Sequence, residues 1–285
     1  MHNQPTTITY ERALRTATAL LASSSPTARL DATLLLAHVC GVSRTRLLSE
    51  WETPLTADEQ TQFAALVARR GAGEPVAYLV GHKEFYGHDF VVDARVLIPR
   101  PETELVIDLA LATVADAAPS LSIADIGTGS GCIAVTLALA LPTAHVWAVD
   151  LSADALAVAR QNVARHGVAQ RVTLLHGAGV ALLPNPVNLL VSNPPYTILH
   201  EVEPNVARYE PHLALDGHGS AGLDIIAGLL QTAPPLLRPG GALLMEIGAW
   251  QGAAVLALAR TAFPAAMLAL HQDGAGRDRV LVVQT

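Results

Sequence analysis

The 285-residue sequence predicts an α/β fold in which a mostly parallel sheet with one antiparallel edge strand follows a small helical bundle and a β-hairpin. Three observations lead to this prediction. Residues 8–80 have helical periodicity, residues 83–96 are rich in aromatic and β-branched side chains, and strand and helix patterns alternate from residue 120 onward. Such alternation is typical of right-handed βαβ units, in which helices cover both faces of a parallel sheet.

The composition excludes several broad classes of protein. Hydrophobic residues make up 51% of the chain, yet no uninterrupted run of about 18 apolar residues predicts a membrane span. The first residues, MHNQPTTITYERALRT, lack the basic start and apolar stretch of a signal peptide. Cys40 and Cys132 are too few for a disulfide framework or a zinc ligand set. We therefore expect a cytoplasmic protein without a metal site.

Charge is unevenly distributed along the chain. The formal net charge is −7; residues 1–95 contain 9 basic and 10 acidic side chains, and residues 96–285 contain 9 and 15. The net charge is thus −1 in the first part and −6 in the second, and Lys83 is the single lysine. No basic cluster could track a phosphate backbone, so we expect no direct nucleic-acid binding, although a local basic groove could still serve a specific binder.

Helix signals fill residues 8–80. Thr56 is a candidate N-cap with acidic residues following it, and Gly41 is a candidate C-terminal stop for the preceding helix. Arg69 and Arg70 come at the end of the last helical pattern, where cations complement the helix dipole. We interpret these two arginines as surface charges and expect no chemistry from the helical bundle itself.

The segment between the two parts of the chain predicts a hairpin and a stiff linker. Aromatic and β-branched residues flank Gly87, and Pro99 and Pro101 precede a helix that starts near Glu102. The predicted domains are a helical domain at 1–80, a hairpin and linker at 81–98, and a larger α/β domain at 99–285.

The α/β domain has five predicted strands and a terminal hairpin. The strands are 122–126, 145–149, 172–175, 188–191 and 242–247, with helices notably at 131–141 and 153–166. The RPGG stretch at 238–241 predicts a turn that feeds the fifth strand. A hairpin around 274–276 would place an antiparallel strand at the sheet edge.

A glycine-rich turn, ADIGTGSGCIAV, joins the first strand of this domain to the next helix. Gly127, Gly129 and Gly131 would let a ligand approach the backbone closely. Their G-x-G-x-G spacing differs from the dinucleotide pattern, and no P-loop lysine follows, so the loop suits a cofactor without phosphates. Asp150 closes the second strand, where a carboxylate can accept both hydroxyls of a ribose. Together these features predict an adenosine cofactor.

The fourth strand ends in an unusual element, Asn193-Pro194-Pro195-Tyr196. In an open parallel sheet this position borders the usual ligand crevice. The Asn193 side-chain oxygen and the Pro194 carbonyl are both acceptors and could together receive the two hydrogens of one NH2 group. Tyr196 could then pack on the flat face of the group that bears it. The element predicts a receptor for a planar amide or an exocyclic amine.

The NPPY element, following DIGTGSG and AVDLS, resembles that of S-adenosylmethionine-dependent methyltransferases acting on amino groups. Both DNA N6-adenine and protein glutamine N5 methyltransferases use such an element. The segments LIPRPETE at 97–104, EFYGHDFVV at 84–92 and EPHLALDGHGSAGLDII at 210–226 are similar to the release-factor glutamine N5-methyltransferase family (PrmC, also called HemK). The resemblance covers most of the chain and is densest from 81 to 250.

This resemblance implies a Rossmann-like class I methyltransferase sheet and methyl transfer to the glutamine of the GGQ motif in class-1 peptide-chain release factors. The catalytic residues would be Asn193, Pro194 and Tyr196. S-adenosyl-L-methionine would contact Gly127, Thr128, Gly129, Ser130, Gly131, Asp150 and Asn193. The substrate would contact Asn193, Pro194, Pro195, Tyr196 and Phe90.

Further positions have supporting roles by the same resemblance. Arg100 and Glu104 would organise the pocket rim, Glu210 and Asp216 would order the loop after the substrate site, and the helical domain would recognise the release factor. One departure concerns the adenine. Many members of the family carry an acidic or aromatic pair where this chain has Ala178 and Gly179, so a backbone carbonyl or His176 would have to substitute.

Two alternative functions stay open at this point. A DNA N6-adenine methyltransferase would share the NPPY chemistry but would need a cationic cradle for the duplex. A catalytically weak release-factor-binding module would explain Ala178 and Gly179 but not an intact NPPY element. A nicotinamide-dependent oxidoreductase is disfavoured by the glycine spacing.

Overall fold

A computed structural model of the protein describes residues 8–114 and 120–285. The chain divides into two compact units, Met1–Gly81 and His82–Thr285. Among the described residues, no helix has the length and apolar character needed to cross a membrane.

The first unit is helical. Its helices are α1 Tyr10–Leu21, α2 Ala28–Cys40, α3 Arg44–Ser49, α4 Ala57–Gly71 and α5 Val76–Val80. Thr56 and Glu59 form a reciprocal capping box at the start of α4, and Gly41 ends α2 in the left-handed conformation. A buried cluster that includes Leu21, Leu35 and Phe63 holds these helices together.

Arg70 differs from its predicted role as a surface charge. Its Nε donates to Asp31 Oδ2 at 2.6 Å, and the two side chains are only 15% and 7% exposed. Ser25 completes the cluster by donating to the same carboxylate at 2.7 Å. Arg70 is therefore part of a buried, paired network that joins α2 to α4, whereas Arg69 forms an exposed ion pair with Glu74.

The second unit starts with the predicted hairpin. Strands β1 His82–Phe85 and β2 His88–Val91 pair antiparallel. Tyr86 and Gly87 both have positive φ, 51° and 75°, as a two-residue turn of type I′ requires. A 3₁₀ turn, Pro101–Thr103, then leads into α6 Glu104–Thr113, close to the predicted start.

Seven strands form the main sheet, which confirms the predicted fold class. The strands are β3 Ser122–Ile126, β4 His145–Asp150, β5 Val172–His176, β6 Val187–Ser192, β7 Leu237–Glu246, β8 Met267–Gln272 and β9 Asp278–Gln284. The helices between them are α7 Cys132–Ala140, α8 Ala153–Arg165, α9 Pro204–Tyr209, α10 Asp224–Thr232 and α11 Gly252–Ala262. The strand order is β5-β4-β3-β6-β7-β9-β8, and β3 to β7 pair in parallel.

The sheet is irregular toward one edge. Strand β9 is antiparallel to both β7 and β8 and lies one place in from the edge, which β8 occupies. The RPGG stretch was predicted to be a turn before the fifth strand, but it lies within β7. The register shifts there, since Leu237 pairs with Val187 and Ala242 pairs with Leu189. A bulge therefore takes up the extra residues.

Two buried clusters cover opposite faces of the sheet. One packs α6 and α7 against the sheet and includes Ile107, Ile123 and Leu189. The other packs α10 and α11 and includes Leu190, Ile226 and Val255. Because β3, β4, β6 and β7 are parallel, their carboxyl ends meet at one edge of the sheet, and the strand order reverses between β3 and β6. A ligand crevice is expected at such a position.

Candidate active site

The glycine loop after β3 has the geometry of a ligand cradle. The backbone φ angles of Gly127, Gly129 and Gly131 are 76°, 55° and 80°, values that residues other than glycine rarely adopt. A Cβ at Gly131 would come within 3.3 Å of Ala159 Cβ, so this glycine allows close packing of α8. A Cβ at Gly129 would meet no heavy atom within 4 Å. Open space therefore lies beside Gly129.

Two polar side chains inside the loop point into the protein. The buried Thr128 hydroxyl donates to Asp125 Oδ2 at 2.6 Å, and the same oxygen accepts from the Ala134 N–H at 3.2 Å. Ser130 is also buried. Burial raises the pKa of Asp125 to about 7 because desolvation outweighs these two hydrogen bonds. The loop therefore offers a ligand its backbone rather than its hydroxyls.

Asp150 lies beside this loop at the end of β4. Its Oδ2 accepts from the Gly129 N–H and its Oδ1 from the Ser152 N–H, each at 2.8 Å. Burial raises its pKa, and the backbone bonds oppose that effect. Each carboxylate oxygen has a further lone pair, so Asp150 can still accept from two ligand hydroxyls. The open loop and this acceptor suit a ribose and an amino-acid moiety without phosphates.

The NPPY element is joined to three neighbouring segments of the same unit. Asn193 Nδ2 donates to Thr103 Oγ1 at 3.1 Å, and Thr103 Oγ1 donates to Glu246 Oε2 at 2.6 Å. The Tyr196 hydroxyl donates to the other oxygen, Glu246 Oε1, at 3.0 Å. The Asn193 carbonyl oxygen lies 4.0 Å from the position of a Cβ at Gly127. The NPPY element therefore adjoins the glycine loop.

Glu246 and Tyr196 lie in a strongly desolvated environment. Glu246 is 1% exposed, and burial raises the pKa of its carboxyl. Its bonds from Thr103 and Tyr196 and the nearby Arg279 oppose this shift. Burial and the adjacent Glu246 likewise raise the pKa of Tyr196, so its phenol stays protonated and donates.

A pocket of about 370 Å³ opens in front of this network. Asn193, Pro194 and Tyr196 line it together with Arg100 and Trp250. The Trp250 ring is 62% exposed and meets the Tyr196 ring edge-on at 6.3 Å between centroids. The three residues predicted to be catalytic therefore share one pocket wall, and Pro195 lies half-buried between them.

A glycine-rich loop supports Tyr196 from behind. A Cβ at Gly222 would come within 2.3 Å of the Tyr196 carbonyl oxygen, and one at Gly217 within 2.8 Å of Tyr196 Cα. Gln251 Nε2 donates to the Tyr196 carbonyl at 3.0 Å and also to Gly222 O at 3.2 Å. Close backbone packing therefore fixes the position of Tyr196.

Phe90 does not occupy its predicted place on the pocket wall. Its side chain is fully buried and packs on the rings of Phe85 and His166, with centroid distances of 6.1 and 4.9 Å. It belongs to the core cluster beneath the hairpin.

The supporting residues predicted from the resemblance have clear partners. Glu210 accepts from Arg100 Nη2 at 2.5 Å and from the Ile98 N–H at 3.1 Å, so it ties the linker to the loop that follows α9. Glu104 accepts from the Tyr86 N–H at 2.9 Å and holds the hairpin turn instead of the pocket rim. Asp216 pairs with His218.

The segment after β5 contains Ala178 and Gly179, which begin a short 3₁₀ turn. His176 is exposed, and its Nε2 contacts the Leu151 carbonyl at 3.1 Å. The segment next to Asp150 therefore offers the His176 imidazole and backbone groups. It has neither an acidic nor an aromatic side chain at 178 or 179, where the resemblance predicts a contact with the adenine.

Sequence reasoning missed Thr103, Glu246, Asn162 and Gln251. Glu246 had a usable signal, because it is a charged residue that closes an apolar strand, as Asp150 and Asn193 close theirs. Asn162 lies in the last turn of α8 and is fully buried. It bonds both the N–H and C=O of Val91 and the carbonyl of Ser130, and no local pattern signals such partners.

Both units of the chain contain residues that match known protein families. Residues 12–81 match the family model described as PrmC N-terminal domain, and residues 107–209 match the one described as Methyltransferase small domain. In the solved structures, the hMettl16 catalytic domain is 16% identical with a TM-score of 0.56, covering 76% of this chain and 81% of that one. A methyltransferase from Pyrococcus furiosus is 16% identical with a TM-score of 0.51, covering 78% and 96%. These two similarities concern the fold alone.

Several curated relatives are much more similar in sequence. A release factor glutamine methyltransferase from Chlorobaculum tepidum is 45% identical over 89% of this chain and 89% of its own length. One from Moorella thermoacetica is 46% identical over 88% and 89%, and one from Cereibacter sphaeroides is 44% identical over 94% and 96%. The chain belongs to the release factor glutamine methyltransferase family.

Proposed function

We propose that this protein transfers a methyl group from S-adenosyl-L-methionine to the side-chain amide nitrogen of a glutamine in a peptide-chain release factor. The glutamine of the GGQ motif in class-1 factors is the proposed acceptor, and the cytoplasm is the proposed place of action. The observation that carries this proposal is the shared pocket wall of Asn193, Pro194 and Tyr196 next to the glycine loop.

The chemistry of the proposed acceptor explains this wall. An amide nitrogen is a poor nucleophile because its lone pair is delocalised into the carbonyl. If Asn193 Oδ1 and the Pro194 carbonyl accept both N–H bonds, the lone pair is directed toward the methyl donor. The two acceptors also stabilise the positive charge that develops on nitrogen. Alignment at near-attack distance contributes much of the remaining acceleration.

Tyr196 would complete the acceptor site, and the exposed Trp250 ring lies next to it. The Tyr196 ring would cover the planar amide, and its hydroxyl, held by Glu246, fixes the ring. No general base needs to act before transfer, because the amide proton becomes acidic in the product and leaves afterward. We therefore assign no catalytic histidine.

The cofactor would lie along the glycine loop. Backbone groups of residues 127–131 would surround its methionine part, and Asp150 would accept from its ribose hydroxyls. Asn193 would lie near the cofactor because its carbonyl adjoins Gly127. When bound, the cofactor supplies an electrophilic methyl group on a positively charged sulfur.

We assign recognition of the release factor to the helical unit. An apolar groove of about 600 Å³ lies between α1 and α4, and Leu20 at its border is 65% exposed. An exposed apolar groove of this kind is typical of a protein-binding surface.

Mass spectrometry of a release factor incubated with enzyme and cofactor tests the proposed function. We expect a gain of about 14 Da, the mass of one CH2, on the GGQ glutamine. Duplex DNA with labelled cofactor serves as the second substrate in parallel. Label in DNA and none in the release factor would overturn the proposal in favour of N6-adenine methylation.

A further inference from the structure

We infer that Thr103 and Glu246 are positioning residues that determine which way the Asn193 side-chain amide faces, and hence that the pocket selects an amide over a carboxylate. This inference depends on the proposed function, because it concerns how the acceptor glutamine is distinguished from glutamate. It adds to that function two residues that lie 90 and 53 positions from Asn193 in the chain.

Glu246 determines the direction of the two hydrogen bonds that Thr103 makes. An ionised carboxylate only accepts, so the 2.6 Å contact between Thr103 Oγ1 and Glu246 Oε2 uses the one hydrogen of the Thr103 hydroxyl. The Thr103 oxygen then has only lone pairs to offer. Its 3.1 Å contact with Asn193 is satisfied by the Asn193 NH2 group and not by the carbonyl end.

The oxygen end of the Asn193 amide, Oδ1, cannot replace the NH2 group at Thr103. A flip of Asn193 would bring Oδ1 against the Thr103 oxygen, so two acceptors would face each other without a hydrogen. Such a contact is unfavourable because Thr103 is only 2% exposed, so its oxygen would be left without a donor. Asn193 Oδ1 is therefore kept free of Thr103, and Asn193 lines the pocket. The pocket then presents an acceptor, which suits an NH2 group and repels a carboxylate oxygen.

Burial and a hydrogen bond from Tyr196 hold the Glu246 carboxylate in place. It is 1% exposed at the end of β7, and its second oxygen accepts from the Tyr196 hydroxyl at 3.0 Å. The same carboxylate thus anchors Tyr196 directly and Asn193 through Thr103. Burial raises the pKa of the Glu246 carboxyl, whereas the hydrogen bonds from Thr103 and Tyr196 and the nearby Arg279, only 8% exposed, favour the ionised form on which the bond directions depend.

The experiment compares Thr103→Val with Thr103→Ser in the full-length protein. Valine has nearly the shape of threonine but leaves Asn193 Nδ2 without its acceptor, whereas serine keeps the hydroxyl. Thr136→Val is the matched control, because it removes a buried hydroxyl that has no hydrogen-bond partner among the described residues and lies on α7 outside the network. Glu246→Gln is the second variant, because an amide can donate to Thr103 and reverse the chain of bonds.

Two quantities are measured for each protein. The first is kcat for methylation of the release factor. The second is the ratio of the Kd values for the unmodified release factor and for one with glutamate in place of the acceptor glutamine. We expect Thr103→Val and Glu246→Gln to lower kcat roughly tenfold or more and to reduce the preference for glutamine. Thr103→Ser should restore both, and Thr136→Val should change neither.

The results distinguish a failure of the positioning role of Thr103 and Glu246 from a failure of the proposed function. Wild-type protein that leaves the release factor unmethylated would overturn the proposed function. Active wild-type protein with an unchanged kcat and an unchanged Kd ratio in Thr103→Val would overturn the positioning role alone. If Thr103→Val fails to fold, as judged by its melting temperature, the Kd ratio in Glu246→Gln decides the question.

Discussion

The Tyr196 hydroxyl donates to Glu246 Oε1 at 3.0 Å, which joins the loop after β6 to the end of β7. This bond crosses the carboxyl edge of the sheet, where β6 and β7 are neighbours. It makes the phenol a fixed part of the pocket wall.

Tyr196→Phe should lower kcat several-fold and leave cofactor affinity unchanged. The ring stays, but Glu246 loses one donor, which costs about 1–3 kcal/mol of stability for a buried charged group. Steady-state kinetics and urea unfolding would check both values. Tyr86→Phe is a useful control for the loss of a phenol, since the Tyr86 hydroxyl donates to the exposed carboxylate of Asp108 at 2.8 Å, outside the pocket. An unchanged stability of Tyr196→Phe would show that the bond to Glu246 contributes nothing.

Asn193→Ala should lower kcat by roughly 10²–10³-fold, the usual effect of removing one preorganised polar group. Binding of S-adenosyl-L-homocysteine, measured by calorimetry, should change little. Asn188→Ala is the matched control on the same strand, because Asn188 accepts from the Ser122 N–H at 3.0 Å, at the far end from the pocket. Full activity in Asn193→Ala would refute the amide receptor.

Asp150→Asn should weaken binding of S-adenosyl-L-homocysteine by about 1–3 kcal/mol, because an NH2 group must then face one of two backbone N–H donors. Burial raises the pKa of Asp150, so its carboxylate takes up a proton at a higher pH than an ordinary aspartate. Cofactor affinity should therefore fall on acidification, beginning at a higher pH than the pKa of an ordinary aspartate would give. Calorimetry at several pH values, with Asp154→Asn on the exposed side of α8 as control, would detect this. An affinity independent of pH and of the Asp150 substitution would contradict the assigned role.

Asp125→Asn should change the pH dependence of folding. The pKa of Asp125 is about 7 in the folded protein, against an ordinary value of 3.8, so the folded state holds the proton more tightly. This group therefore favours folding at low pH, and that contribution is lost as pH rises from 3.8 toward about 7. Relative to wild type, the asparagine variant should gain stability over this range. Urea unfolding between about pH 5 and pH 8 would measure the difference, and parallel curves would contradict the buried-carboxyl assignment.

Gly222→Ala should displace Tyr196 and lower kcat strongly. The new Cβ would lie 2.3 Å from the Tyr196 carbonyl oxygen, and φ at this position is 65°. Gly167→Ala controls for the backbone strain, because its φ is 69° but no heavy atom of residues 8–114 or 120–285 lies within 4 Å of the Cβ position. Both variants should lose about 1–2 kcal/mol to the left-handed conformation, and only Gly222→Ala should lose activity. Equal kinetics in the two would contradict the steric argument.

Much of the fold and part of the site could be predicted from local patterns. The alternation of apolar runs and helical periods identified the parallel strands, because each strand is buried on both faces. Asp150 and Asn193 could be found because polar residues at the carboxyl ends of such strands meet at one edge. Glu246 follows the same rule.

Other features depend on contacts that sequence patterns do not encode. Thr103 meets Asn193 only after β6 has been placed beside the turn before α6. Phe90 was assigned to the pocket wall, but a four-residue hairpin strand is too short to show which face its aromatic residue occupies. Arg70 was assigned to the surface because its partner Asp31 lies on a different helix, 39 residues earlier.

The three hydrogen bonds of Asn162 have a practical consequence for dissecting the protein. The Asn162 side-chain oxygen accepts from the Val91 N–H in the hairpin. Its NH2 group donates to the Val91 carbonyl and to the Ser130 carbonyl in the glycine loop. A fragment that begins at α6 would leave two of these bonds unmade and would strip Phe85 and Phe90 from the core. A fragment that keeps these contacts would therefore begin at His82, ahead of the hairpin, and not at the glycine-loop strand.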